Sequence, residues 1–159
     1  MPKQSVLIIL PSYDAGGAEN WALRLIEFAG HTDHEWHVTS GNLANRSMDK
    51  AFERAGAQAH FASPGFANPA QAVHFYRFLR RHQFDAVMSL NGVFGGLSLA
   101  LARAARVPVR IGWHRRSTPA YRQTLGRRLY ARLSLTLLER ASTRILSHSE
   151  AALDYLHGK

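Results

Sequence analysis

Side chains able to do chemistry collect in this chain directly after short apolar runs, where a folded backbone would hold them at the ends of strands. The first group is Pro11-Ser12-Tyr13-Asp14-Ala15-Gly16-Gly17-Ala18-Glu19-Asn20, which follows the run Val6 to Leu10 and leads into a helical pattern. Glycine has no Cβ, so backbone there can approach a ligand closely, and a helix N-terminus offers N–H groups and the positive end of a dipole. A strand, a glycine pair and a helix start therefore predict a site for phosphate or a sugar oxygen. The glycines are adjacent and set back behind a polar loop, so the G-x-G-x-x-G dinucleotide fingerprint is not met. Asp14 and Glu19 flank the pair. Asp14, in the loop, is the better placed to orient a hydroxyl, while Glu19 also reads as a carboxylate favoured in a first helical turn.

A second group is His114-Arg115-Arg116, which follows the run Val109 to Trp113. An imidazole there could accept a proton, donate a hydrogen bond or stabilise a transition state, with two guanidinium groups to hold negative charge beside it. The alternative is a ring that only closes a loop. Asn91-Gly92 reads as turn chemistry that can also touch a ligand. His148 occupies a comparable place beside Ser149, a helix N-cap candidate. The nine histidines are scattered with no H-x-x-x-H or H-E-x-x-H pair, so no metal site is expected. Neither a G-x-S-x-G elbow nor a Walker pattern occurs.

The elements that must position these groups follow from hydrophobic periodicity. Apolar runs predict strands at Val6 to Leu10, Trp36 to Thr39, Ala57 to Phe61, Ala86 to Leu90, Val109 to Trp113 and Arg144 to Ser147. Helical patterns between them cover Ala18 to Ala29, Met48 to Ala55, Ala70 to His82, Phe94 to Ala105, Ala120 to Ala141 and Glu150 to His157. Gly30, Gly56 and Pro108 fall where helices should stop. Strand and helix in alternation predict a doubly wound α/β fold: a mostly parallel, Rossmann-like sheet in three α/β/α layers. At 159 residues the chain has room for a single domain. Ligands of such a sheet gather at the carboxyl ends of its strands, where all the groups above lie. The chain has no cysteine, which fits a reducing compartment, and no apolar run reaches the roughly 20 residues of a bilayer span. The expected location is cytoplasmic.

The net charge of +9 is concentrated: Arg103 to Arg144 holds eleven arginines against one acid, Glu139, and the remainder is close to neutral. Such a local field calls for an anionic partner. Within it, the helical pattern Ala120 to Ala141 puts Leu125, Leu129, Leu133 and Leu137 on one stripe, with Gly126 as a weak point. One reading sends the leucines to the sheet and the arginines to water. The other makes this a surface helix whose Arg122, Arg127, Arg128 and Arg132 meet anionic lipid headgroups, with Tyr121 and Tyr130 at the interface. Nucleic acid is the less favoured partner, because no recognised binding module is present.

Four segments in order resemble the N-terminal domain of a GT-B fold glycosyltransferase of the retaining family 4. They are the first strand with Pro11 and Gly16-Gly17-Ala18-Glu19, then Phe84-Asp85-Ala86-Val87-Met88-Ser89, then Val109 to His114, and finally Ala141 to Glu150. In the last, Thr143 stands where the family usually has aspartate. The resemblance implies an acceptor-binding half of an enzyme that moves a sugar from a nucleotide-sugar donor to a glycan or lipid-linked acceptor. His114 would be catalytic, near the reacting centre. Ser12, Tyr13, Asp14, Asn91, Arg115 and Arg116 would bind the acceptor, and Gly16 and Gly17 would lie near the donor phosphates. No cofactor is implied. The family's E-x7-E motif and donor-gripping basic residues are not in residues 1–159, so a C-terminal donor domain or partner subunit is expected and the chain alone should be inactive. The alternative reading is a non-catalytic Rossmann-like module for a nucleotide or anionic ligand.

Overall fold

The computed structural model of the chain describes residues 2–41, 47–65, 68–114 and 124–157. Its strands are β1 (Gln4–Ile9), β2 (His34–Thr39), β3 (Gln58–His60), β4 (Ala86–Ser89), β5 (Val109–His114) and β6 (Arg144–Ser147). The helices are α1 (Gly17–Ala29), α2 (Asp49–Arg54), α3 (Pro69–His82), α4 (Gly96–Ala104), α5 (Leu125–Ala141) and α6 (Glu150–His157), with a 3-10 turn, Gly92–Gly95, leading into α4. All pairings are parallel, in the order β3-β2-β1-β4-β5-β6. Strand order therefore reverses between β1 and β4, and the doubly wound α/β/α sheet expected from periodicity is the fold.

Alternation along β1 divides the interior. Val6, Ile8 and Leu10 pack with Ala18, Ala22 and Ile26 of α1 and Phe52 of α2. Leu7 and Ile9 face the other way, onto Phe75 and Leu79 of α3, Leu99 and Ala102 of α4, and Leu138 and Ala141 of α5. A central strand buried on both faces must be apolar throughout, which is why Val6 to Leu10 carries no polar residue.

The amino ends of the strands are tied by side chains. The Ser5 N–H donates to Asp85 Oδ2 at 2.8 Å, joining β1 to the entry of β4. Thr143 does the equivalent for β5 and β6: its hydroxyl accepts from the Arg110 N–H and donates to the Arg110 carbonyl, both at 2.9 Å. A threonine can both give and take a proton here, whereas an ionised aspartate could only accept. Ser149 caps α6 as expected, its Oγ 3.2 Å from the Ala152 N–H.

Helix α5 differs from the expectation of a leucine stripe turned to the sheet. Ser134, Leu138 and Ala141 are buried, while Leu125, Leu129 and Leu133 are 87%, 71% and 59% exposed. The cause is close packing at Gly96, whose N–H donates to Ser134 Oγ at 3.2 Å and where any Cβ would collide with the Ser134 carbonyl. Tyr130 stacks on Phe94 beside this contact, ring centroids 5.9 Å apart. A serine and a small-residue crossing thus set the rotation of α5, and the leucines are left outside.

Under β2, β3 and α3 lies a cluster of imidazoles. His37 Nδ1 is 2.9 Å from His60 Nε2, and the rings of His82, Phe78 and Phe84 complete it. Burial, reinforced by His37 and His82, pushes the His60 imidazole down to about 4, and burial also lowers His37 against the opposing pull of Glu35. A histidine depressed in the folded state gives up no stability above its unfolded pKa near 6.5 and loses it as pH falls toward the folded value. Chemical denaturation across pH should accordingly show stability declining between about 6.5 and 4, by about 1.4 kcal/mol for each pKa unit separating the states. Replacing His60 with Gln should flatten that decline.

Candidate functional site

The carboxyl ends of β1, β4 and β5 are neighbours, and each delivers a polar group to the same edge of the sheet. After β1 the chain turns through Ser12 and Asp14 into α1, whose N-cap, Gly16, provides no side-chain cap. Ser12 organises the loop: its Oγ donates to Glu19 Oε1 at 3.3 Å and accepts from the Asp14 N–H at 3.2 Å. Glu19 is only 4% exposed and folds beneath the loop, where a Cβ on Gly16 would sit 2.5 Å from its Oε2. The absence of a side chain at Gly16 is what leaves room for that carboxylate, while Gly17 is exposed at the surface.

After β4 comes the turn Asn91-Gly92. Gly92 has φ +56°, a left-handed conformation that costs an L-residue about 1–2 kcal/mol. A Cβ there would lie 3.3 Å from His114 Nδ1, so the turn abuts the imidazole at the end of β5. His114 is buried, at 3% exposure, and is paired in register with Ser147 of β6. Ser12, Asp14, Asn91, Gly92 and His114 thus share the carboxyl edge at the reversal of strand order, the usual ligand position in such sheets.

Buried polar atoms without partners mark the same edge. Among the described residues they include Asp14 Oδ1 after β1, Ser89 Oγ at the end of β4 and Trp113 Nε1 near the end of β5. Buried polar groups are nearly always hydrogen-bonded, so three exceptions at adjacent strand ends point to a place where polar ligand groups belong. A fourth, His34 Nδ1, is at the start of β2, away from this edge. Ser89 and Trp113 are additions to the residues anticipated from sequence, as is Trp21 of α1, whose ring centroid is 4.0 Å from that of Trp113. Ser89 and Trp113 follow a strand-end signal that was readable for His114 but is silent when the residue lies inside an apolar run.

One anticipated residue has a different role. Tyr13 is fully buried against Phe52 and Phe61, and its hydroxyl lies 2.9 Å from the Val38 carbonyl and 2.7 Å from the His60 carbonyl. The phenol ties the β1 loop to β2 and β3 and has no surface for an acceptor, which corrects the expectation of a binding residue. Arg115, Arg116 and Arg122 lie outside the described residues. Arg127 is on α5, and Arg128 and Arg132 are exposed on the same helix. His148 is exposed after β6. No group of three or more His, Cys, Asp or Glu among the described residues could hold a metal ion. A depression of about 220 Å³ lined by Arg80, Gln83, Asp85 and Arg106 opens at the amino ends of the strands, opposite this constellation.

The family model for Glycosyltransferase Family 4 matches residues 15–159. No curated protein sequence matches the chain. Among solved structures, Anabaena Alr3699/HepE in complex with UDP-glucose superposes with a TM-score of 0.71 at 13% identity, covering 97% of this chain and 40% of that one. Its complex with UDP and glucose gives 0.67 at 16% identity, covering 96% and 40%. A proposed UDP-N-acetylglucosamine 2-epimerase from Listeria monocytogenes gives 0.60 at 13% identity, covering 99% and 43%. The chain spans about 40% of the length of the HepE structures it resembles, a likeness of fold.

Two substitutions separate structure from site. Tyr13→Phe should destabilise the chain by about 1–2 kcal/mol in urea titration, the cost of a buried carbonyl left unpaired, without altering ligand binding. Gly92→Ala should cost about 1–2 kcal/mol for its left-handed backbone and, unlike Tyr13→Phe, shift the NMR signals of the His114 ring.

Proposed function

The chain belongs to Glycosyltransferase Family 4, and on that premise we propose that it is the N-terminal, acceptor-binding half of a retaining GT-B glycosyltransferase, which works with a C-terminal donor domain or a partner subunit. The observation that carries this reading is that Asp14, Ser89, Trp113 and His114 lie at or just beyond the carboxyl ends of the adjacent strands β1, β4 and β5, three of them with a buried polar atom that has no partner among the described residues. These are groups suited to sugar hydroxyls: a carboxylate and a serine oxygen that accept, and an indole N–H that donates.

In this reading His114 is the catalytic residue. Its backbone is fixed by pairing with Ser147 of β6, and its ring is held against Gly92, so the imidazole meets the transferred sugar or acceptor with little freedom to lose. Asp14 and Asn91 orient acceptor hydroxyls, Arg115 and Arg116 favour an acceptor with phosphate or carboxylate, and the Gly16-Gly17 loop faces the donor phosphates across the cleft. Glu19, beneath that loop, sets its shape. The donor is a nucleotide sugar gripped mainly by the other half, and no cofactor is required. Alr3699/HepE holds UDP-glucose, so a uridine diphosphate sugar is the first donor to test. The acceptor is a glycan or a lipid-linked glycan, as in polysaccharide synthesis. The protein would then work in the cytoplasm, peripherally at the inner membrane face.

The chain alone should give no transfer. Combined with its donor half, His114→Ala should lower kcat by at least about 100-fold, the usual scale for a positioned acid–base group, with a thermal midpoint near that of the parent. Equal losses of turnover and thermal stability would instead make His114 a packing residue and remove the mechanism proposed for it.

A further inference from the structure

The exposed side of α5 carries a surface that the sugar chemistry does not use. Leu125, Leu129 and Leu133, four residues apart, form an outward stripe about 12 Å long on a helix that rises 1.5 Å per residue. Exposed Arg128 and Arg132 run parallel to it. On a helical wheel Leu125, Leu129 and Leu133 advance by about 40° per step, and the two arginines lie on the adjoining arc. The outward face is therefore split lengthwise into an apolar strip and a basic strip. Packing at Gly96 fixes this rotation, because Ser134 must face inward for α5 to come so close.

We propose that this face of α5 lies in the interface of an anionic lipid bilayer, with Leu125, Leu129 and Leu133 entering the acyl boundary and Arg128 and Arg132 at lipid phosphates. Charge selects the occupant. Across Arg103 to Arg144 the chain has eleven arginines and a single acid, a field that draws in a negatively charged surface and repels a second copy of itself. Leucine beside arginine on one helix face is the composition of an interfacial helix, whose apolar strip inserts while long cationic side chains reach the headgroups. No helix among the described residues is long and apolar enough to cross a membrane, so α5 lies on the bilayer. The inference deepens the reading of a membrane-face transferase and rests on it only for its biological setting, since vesicle binding needs neither donor nor acceptor.

The test is sedimentation with vesicles of phosphatidylcholine alone or mixed with phosphatidylglycerol. The chain should bind the mixed vesicles, less so as salt rises, and should not bind phosphatidylcholine alone. The Leu129→Gln/Leu133→Gln variant should bind at least about tenfold more weakly, and Arg128→Gln/Arg132→Gln should lose about fivefold per charge. Because the chain has no cysteine, Leu129→Cys can carry a single environment-sensitive fluorophore. Its emission should shift to the blue on the mixed vesicles, while the same label at Phe28→Cys on α1, a residue 92% exposed, should not shift. Unchanged binding by the leucine variant, or equal shifts at both labels, would overturn the proposal. So would a dimer or a duplex-DNA complex that the leucine substitutions abolish while vesicle binding persists. Failure of the unsubstituted chain to bind the mixed vesicles, with transfer to a soluble acceptor present, would sink this inference and leave the transferase reading standing; vesicle binding without any transfer would do the reverse.

Discussion

Everything in this fold depends on β1 being buried on both faces. A parallel strand with neighbours on both sides has no solvent side, so Val6 to Leu10 must find apolar cover above and below. That requirement places α1 and α2 on one face and α3, α4 and α5 on the other. It also fixes where chemistry can occur. Parallel crossovers carry the chain from β1 outward to β2 and β3, then back across to β4. The loops after β1 and β4 therefore diverge and leave a crevice at their carboxyl ends.

Helix α5 shows how one small residue can redirect a large surface. With Gly96 below it, the helix approaches α4 more closely than any Cβ would allow, and Ser134 is drawn into the contact. Rotating α5 to bury Leu125, Leu129 and Leu133 would withdraw Ser134, Leu138 and Ala141 from the core. Leu138 and Ala141 already cover Leu7, Ile9 and Val87, so the packed arrangement retains its apolar burial and gains a close backbone crossing. The basic, leucine-bearing face is the other side of that choice.

The strand and helix order was legible because each element has a simple period and a clear stop. Arg144 to Ser147 and Glu150 to His157 match residue for residue, and β1, α1 and α3 differ from their expected limits by a residue or two at their ends. The burial of α5 was not legible, since a four-residue leucine stripe is the usual mark of an inward face and Gly96 lies some 30 residues earlier in the chain. Tyr13 misled for a related reason: a tyrosine in a polar loop reads as a ligand contact until β2 and β3 supply two carbonyls for its hydroxyl. Trp113 and Ser89 escaped because they belong to apolar strands, and only the sheet shows that they lie at neighbouring strand ends.

The two edges of the sheet treat their polar groups differently. At the amino edge, Asp85 takes the Ser5 N–H, and Thr143 closes both hydrogen-bonding groups of Arg110. The Arg110 guanidinium is spent on the carbonyls of Val107, Pro108 and Ala141. Those contacts consolidate the sheet and leave little for a ligand. At the carboxyl edge, Asp14, Ser89 and Trp113 each bury a polar atom unmatched among the described residues, a state that costs about 1–3 kcal/mol per group. The amino edge has one unmatched atom of its own, His34 Nδ1 at the start of β2, but the unmatched atoms are more numerous at the carboxyl edge. Gly16 and Gly92 leave room there for the Glu19 carboxylate and the His114 imidazole. The unmatched polar atoms and the two glycine turns coincide at the carboxyl ends of β1, β4 and β5.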